Sequence, residues 1–413
     1  MWNPSNSERD AIAYLQSPQA IRDRATHLFE LGCADKLVHF RVDLEQLEPA
    51  ADFVLQVIQS AYPNLDVPFH SRWRHFEVEG QSQLERVATS FAGWSDLDLA
   101  RMKFDLAITS VLLDAGAGAA WHYVEPNTGK VFTRSEGLAI ASFHSFKQGL
   151  FSSNPQNPWQ ADAEGLTALT AKRLAAGFQV SADNPLVGLA GRVELLQKLG
   201  QALAAQPSYF GQATPRPGYL VDYLRAQAVG GELSAVTVLQ AVLKGLGSIW
   251  PGRIAIAGVN LGDVWPHPQL PDTGLGSQLV PFHKLSQWLT YSLLEPLQDL
   301  GLTLTDLDQL TGLAEYRNGG LCLDIGLLQP KQPNITTQSH RPESPVIVEW
   351  RALTLVLLDQ IADTLRQTLN LSPAELPLVK VLQGGTWSAG RQLAQQLRNG
   401  LPPIQIESDG TVF

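Results

Sequence analysis

VPFHKLSQWLTYSLLEPL, residues 280–297, decides how the rest of the chain is read. Its Leu285, Trp288, Leu289, Leu293 and Leu297 recur at the three- and four-residue steps of a helix, so one face is apolar. Pro281 fits a helix start, where a missing N–H costs nothing. On an adjoining face Lys284, Gln287 and Tyr291 stand at helical spacing and can point the same way. His283 and Lys284 then fall in the first turn, where unpaired N–H groups and the helix dipole favour an anion such as phosphate. The plainer reading is a solvated Lys/Gln stripe, the commonest thing on any helix.

The same periodicity extends outward. Ser7 to Asp10 has the form of a capping box, and Ser17-Pro18 reads as the cap and first residue of a helix that closes at Gly32. ADFVLQVIQSAY places Phe53, Val54, Val57, Ile58 and Ala61 on one face before Pro63 stops it. A long helix opens at Ser95, with Asp98 completing its box, and ends at Gly116. Further helices are expected near residues 136–149, 162–177, 187–205, 218–227, 233–246, 282–299, 305–314, 346–370 and 387–398. PKQPNITTQSHRPESP, from Pro330, reads as a surface loop, and PPIQIESDGTVF as a short C-terminal hairpin around Asp409-Gly410. The expected class is mainly α with minor β: an N-terminal helical region over 1–94 and a larger helical domain over 95–413, or one integrated body.

Composition narrows the function classes. The chain has 413 residues, 44% of them apolar, and carries a net charge of −10, which excludes the basic footprint that nucleic acid or an anionic membrane requires. Cys33 and Cys322 lie far apart and form no CxxC pattern, so neither a disulfide framework nor a thiolate zinc site is expected. The start, MWNPSNSERD, lacks the features of a signal peptide, and a cytoplasmic protein is expected.

Several clusters carry candidate chemistry, each beside a plainer alternative. In HSRWRHF, Arg72 and Arg74 can fork a phosphate or carboxylate and Trp73 can stack on a ring, or the arginines pair with local acids such as Glu77. GDVWPHP holds Asp263 between a glycine and an aromatic residue, as a catalytic acid or as a turn or cap residue. Arg101 stands four residues before Asp105, so a salt bridge is expected there. GGTWSAGR sets small residues before a helix with Arg391 one turn in, as an anion nest or simply a helix start. TGLAEYRNGGL, residues 311–321, places Glu315, Tyr316 and Arg317 before two glycines, as an active-site corner or as a helix end with a glycine C-cap. DAGAGAAW lacks the third glycine of a dinucleotide fingerprint.

Taken in order, HSRWRHF, FDLAITSVLLDAGAGAAW, RSEGLAIASF, DNPLVGLAGR, GDVWPH, VPFHKLSQWLTYSLLEPL, LTGLAEYRNGGL, VEWRALT, GGTWSAGR and SDGTVF resemble the uracil-catabolism family typified by the fungal fourth uracil-catabolism protein. The likeness runs from about Val67 to Phe413. It implies hydrolysis of the N-glycosidic bond of a ribosylurea, 5′-phosphorylated, with release of urea. A more distant likeness is to queuosine-salvage nucleoside glycosylases, which implies a body like that of the helical DNA glycosylases. From that family Asp263 matches the first acid, Lys284 and Gln287 match a Lys and a Gln, and Glu315, Tyr316 and Arg317 match an Asp-Tyr-Arg. Here the acid is Glu, and Asn318-Gly319-Gly320 stands where that family has Val-Pro-Gln.

The implied mechanism uses Asp263 and Glu315 as base and electrostatic stabiliser in either order, with Tyr316, Arg317 or an acid of raised pKa as donor to the leaving urea. Lys284 and His283, with Arg72 or Arg391, would hold the phosphate, beside Gln287 and Trp73. No metal or cofactor is called for, and the partner is a small ribosyl or phosphoribosyl molecule. A ureido amidohydrolase and a non-catalytic ligand-binding partner of another pathway enzyme are the rival readings.

Overall fold

The computed structural model describes residues 5–114, 116–251 and 253–407. Helices carry the chain, and each sheet among the described residues has two strands, so the fold is mainly α as the periodicity implied. Among the described residues, no helix is long and apolar enough to cross a membrane. The chain divides into two compact units, the first taking residues 5–70, 253–287 and 306–407 and the second 71–251 and 288–305.

The spine of the first unit is the helix Pro345–Leu369, which buries Ile347, Val348, Leu353, Leu357, Leu358 and Ile361 and packs against Pro18–Cys33 and Leu47–Ala61. Ser17 caps Pro18–Cys33 through the Ala20 amide, with Pro18 opening the helix as expected. The first helix, Asn6–Leu15, starts two residues earlier than its expected box: Ser5 is the cap, because the Glu8 carboxylate reaches both the Ser5 amide (2.7 Å) and hydroxyl (2.8 Å). In Leu47–Ala61 the buried face is Ala50, Ala51, Val54 and Ile58, while Ala61 is exposed.

The helix expected over 305–314 does not form. Only the single turn Leu307–Gln309 is helical, and the chain then runs extended, burying Leu310, Leu313 and Ala314. Gly312 lies so close to the spine that a Cβ there would meet Leu358 at 2.7 Å. Leu307, Leu310 and Leu313 recur every three residues, and over so short a run that step alone does not separate helix from extended chain. The turn expected at Asp409-Gly410 lies outside the described residues; the described strand before it, Gln405–Ile406, pairs in parallel with Ser339–His340.

The second unit contains Asp96–Leu112, Arg134–Lys147, Leu189–Ala205 and Ala235–Leu246. Ser95 caps the first of these through the Asp98 amide. Asp105 on that helix is buried and pairs with Arg216, not with Arg101, and accepts the Gly218 amide at 2.5 Å. Burial pushes its carboxyl up to about 6 although Arg216 opposes this. Arg101 turns instead to Asp222 (2.6 Å) and Asp98 (3.1 Å). A surface i, i+4 pair contributes at most about 0.5 kcal/mol, less than a buried carboxylate loses without its own cation.

Candidate active site

The helix start that opened the sequence reading lies in the first unit. Leu279–Pro281 is a strand, paired antiparallel with Val264–Pro266, so Pro281 ends a strand and the helix Lys284–Asp299 begins three residues later. His283 takes a left-handed φ of 49°, is buried, and bonds the Leu15 carbonyl through Nε2 at 2.8 Å. Its ring is committed inside the fold.

The helix start does attract an anion, and the anion is Asp263. The Lys284 amide donates to Asp263 Oδ2 at 3.0 Å, and the Phe282 amide donates to the Asp263 carbonyl at 2.9 Å. Arg351 grips the same carboxylate with both Nη atoms at 2.7 Å, and Trp265 Nε1 donates to Oδ1 at 2.7 Å. Four donors occupy the roughly four lone-pair positions that a carboxylate has. Burial alone would raise its pKa; Arg351 and the surrounding N–H groups outweigh it and hold Asp263 well below the usual carboxylate range.

Arg351 also joins the two acids. Its guanidinium is 2% exposed, lies 3.9 Å from the Phe282 ring centroid, and donates through Nε to the Ala314 carbonyl at 3.3 Å. The next residue is Glu315. Glu315 does not end a helix: it caps the start of Tyr316–Asp324, with Oε1 accepting the Asn318 amide at 2.6 Å and Oε2 the Arg317 amide at 2.8 Å. Gly319 and Gly320 sit inside this helix with no left-handed backbone. Gly319 is needed for contact, since a Cβ there would meet the Trp350 ring at 2.7 Å. The Glu315 carboxylate is half-buried and has no cation within ion-pair distance among the described residues. Half of its accepting capacity is uncommitted.

Two amides stand on the same framework. Gln287 is fully buried, which removes the solvated-stripe reading for it, and its Nε2 donates to Thr311 Oγ1 at 3.1 Å. Asn318, also buried, donates through Nδ2 to the Leu313 carbonyl at 3.2 Å. Gln287 Oε1 and Asn318 Oδ1 have no hydrogen-bond partner among the described residues. Buried acceptors without donors are costly, and a ligand that brings N–H or O–H groups to them would relieve that cost.

Arg317 forms a second focus. Its side chain stacks on Trp387, 4.4 Å from the ring centroid, and lies 5.5 Å from the Tyr316 ring. Arg391, exposed, lies 5.6 Å from the same Trp387 centroid, and His70 packs on that ring at 5.6 Å. Arg317 is only 6% exposed, yet among the described residues no carboxylate or other acceptor meets its guanidinium. A desolvated cation–π contact recovers about 2 kcal/mol, whereas burying an ion costs several kcal/mol. His70 is neutral here: burial pushes its pKa down to about 4, the Arg317 charge adds to this, and the Gln383 bond (2.8 Å) opposes it.

Of the two readings of GGTWSAGR, neither an anion nest nor a helix start is found. Leu378–Val381, the π-helical turn Leu382–Thr386 and Trp387–Arg398 run on continuously, and Thr386 has helical φ and ψ of −63° and −41°, so no open nest forms. Gly385 is again a contact residue, since a Cβ would meet Val54 at 2.6 Å. Gly390 abuts the Arg317 carbonyl oxygen, with no room for a methyl group between them.

The family described as "Protein of unknown function (DUF1688)" matches residues 14–413. The chain belongs to this family. It is 39% identical to Protein urg3 of Schizosaccharomyces pombe over 414 residues, 98% of this chain and 99% of that one. It is 37% identical to Uracil catabolism protein 4 of Lachancea kluyveri, over 97% and 99% of the two chains.

In this DUF1688 chain, then, Asp263, Lys284, Gln287, Glu315, Tyr316, Arg317 and Arg391 lie in one unit, and Arg72 and Trp73 in the other. Arg72 is buried there and spent: it pairs with Asp114 at 3.0 Å and donates to Ser110 and Ser135. Trp73 Nε1 donates to the Ser292 carbonyl at 2.7 Å. Sequence reasoning passed over Arg351 and Trp387 and gave His70 and Asn318 no part in this site. For Arg351 a signal existed: one arginine inside the apolar run VIVEWRALTLVLL is a buried charge that must have a partner.

Proposed function

We propose that this DUF1688 protein serves uracil catabolism by hydrolysing the N-glycosidic bond of a ribosylurea, releasing ribose and urea. The observation that carries the reading is the contrast between the two acids. Asp263 has every lone pair filled and works as a positioning anion, whereas Glu315 keeps open acceptor capacity and has no cation partner among the described residues.

Breaking the ribosyl C1′–N bond builds positive charge on the sugar. Glu315 stabilises that charge and takes a proton from the attacking water, whose oxygen bonds to C1′. The bonding pair leaves with the urea nitrogen, which takes a proton from the Tyr316 hydroxyl; that proton is restored from Glu315 through solvent. Gln287 Oε1 and Asn318 Oδ1 accept N–H bonds from the ureido group. Similarity to Uracil catabolism protein 4 supports the pathway. The test is incubation of the purified protein with ribosylurea or its 5′-phosphate and an assay for urea. Absence of urea, or equal release by Glu315→Gln, refutes the reading; ammonia and carbon dioxide in its place identify a ureido amidohydrolase.

A further inference from the structure

The distribution of charge in the first unit leaves one group unexplained by glycosidic chemistry. Arg317 is 6% exposed and no carboxylate among the described residues answers it, although Asp263 and Glu315 both stand on the same framework. Asp263 is turned to Arg351, and Glu315 takes the Arg317 backbone amide, not its side chain. The guanidinium lies 4.4 Å from the Trp387 ring centroid, a contact that restricts its motion without neutralising it. Arg391 brings a second guanidinium to the same ring. His70, packed on that ring, is uncharged and so neither repels a cation nor attracts an anion at neutral pH.

We propose that Arg317, assisted by Arg391 and seated on Trp387, binds the phosphate of a 5′-phosphorylated ribosyl substrate. The phosphate therefore does not sit at the Lys284 helix start, where Asp263 already takes the amide. A planar guanidinium presents two parallel N–H donors that match two phosphate oxygens, and a flat aromatic support restricts its motion. This inference rests on the ribosyl-hydrolase reading for the sugar but not for the chemistry, so the two can fail separately.

The experiment is calorimetric titration of the full chain with ribose 5-phosphate, ribose and inorganic phosphate. Wild type is expected to bind ribose 5-phosphate at least about tenfold more tightly than ribose, as one charge-assisted hydrogen-bonded contact requires, and inorganic phosphate should compete with it. Arg317→Met should bring the two affinities together while ribose binding persists, and Arg317→Lys, which keeps the charge without the fork, should retain part of the preference. Equal wild-type affinities, no binding of ribose 5-phosphate at millimolar concentration, or full preference in a folded Arg317→Met protein would overturn the site. Should Arg317→Met not fold, full preference in Arg317→Lys overturns it and partial loss supports it. A phosphate preference without urea release would leave this site standing and remove the proposed reaction.

Discussion

Asp263→Asn removes one negative charge from the pair that organises the site. The amide cannot accept four hydrogen bonds, and Arg351, 2% exposed, loses the anion held at 2.7 Å by both Nη atoms. Breaking a buried pair by deleting one partner costs about 3–5 kcal/mol, a large share of the roughly 5–15 kcal/mol by which a native protein is stable. With a urea dependence of about 1–3 kcal/mol per molar, the midpoint should fall by about 1–5 M. Arg351→Met should be similarly harmful, because it strands Asp263. The double substitution removes both charges, and an apolar replacement for a buried pair is often neutral; it should recover most of the loss.

Acid gives an independent check on the same pair. The folded pKa of Asp263 lies below its unfolded value of about 3.9. Its contribution is therefore complete above the unfolded pKa and is lost as pH falls through the folded one. The gap between wild type and Asp263→Asn should be full at pH 7 and shrink only below about pH 4. Urea unfolding followed by circular dichroism measures both effects. A single substitution within about 1 kcal/mol of wild type, or a double mutant no more stable than the single, would show that the pair does not organise this fold.

Glu315→Gln should lower urea release by about 10²–10⁴-fold while lowering the unfolding free energy by only about 1 kcal/mol or less, because the amide oxygen can still cap one backbone N–H; parallel kinetics and denaturation separate the two. Gly390→Ala drives a methyl group into the Arg317 carbonyl and should destabilise by about 1–3 kcal/mol, read from urea denaturation. Buried, His70 should titrate at about 4 in a histidine NMR experiment. The unfolded chain takes that proton near 6.5, so stability should decline as pH drops from about 6.5 to about 4 and level off below, and His70→Asn should remove that slope.

Helix existence was legible wherever an apolar stripe met a cap: Ser17-Pro18, Ser95 with Asp98, and the repeat from Leu285 to Leu297 all lie on helices. The stretch 305–314 misled because Leu307, Leu310 and Leu313 satisfy a helical step by chance while the chain is extended after Leu307–Gln309. Glu315 and Asp263 were legible as acids but not as unequal ones. Their difference comes from Arg351, thirty-six residues beyond Glu315 in sequence, and from strand pairing that turns Asp263 onto the Lys284 amide. No local pattern carries either fact. Arg72 illustrates the converse: its motif suggested a ligand, and Asp114, reached across a loop and a helix, consumed it.

The glycines of EYRNGGL and GGTWSAGR invite a turn reading, and the molecule uses several of them for contact. Gly319 lets the Trp350 ring reach the helix, and Trp350 Nε1 donates to the Gly319 carbonyl at 3.0 Å. Trp350 is the neighbour of Arg351, so the seam that seats the ring also sets the guanidinium that serves Asp263 and Ala314. Gly390 does the same from the other side, bringing Trp387–Arg398 onto the Arg317 carbonyl, and Trp387 onto the Arg317 side chain. Glu315 stands just ahead of both seams in sequence and is paired with neither cation. Its uncommitted acceptor capacity is thus a consequence of packing: each arginine near it is drawn elsewhere, Arg351 by Asp263 and Arg317 by Trp387, and a bulkier residue at Gly319 or Gly390 would shift an arginine before it touched the acid.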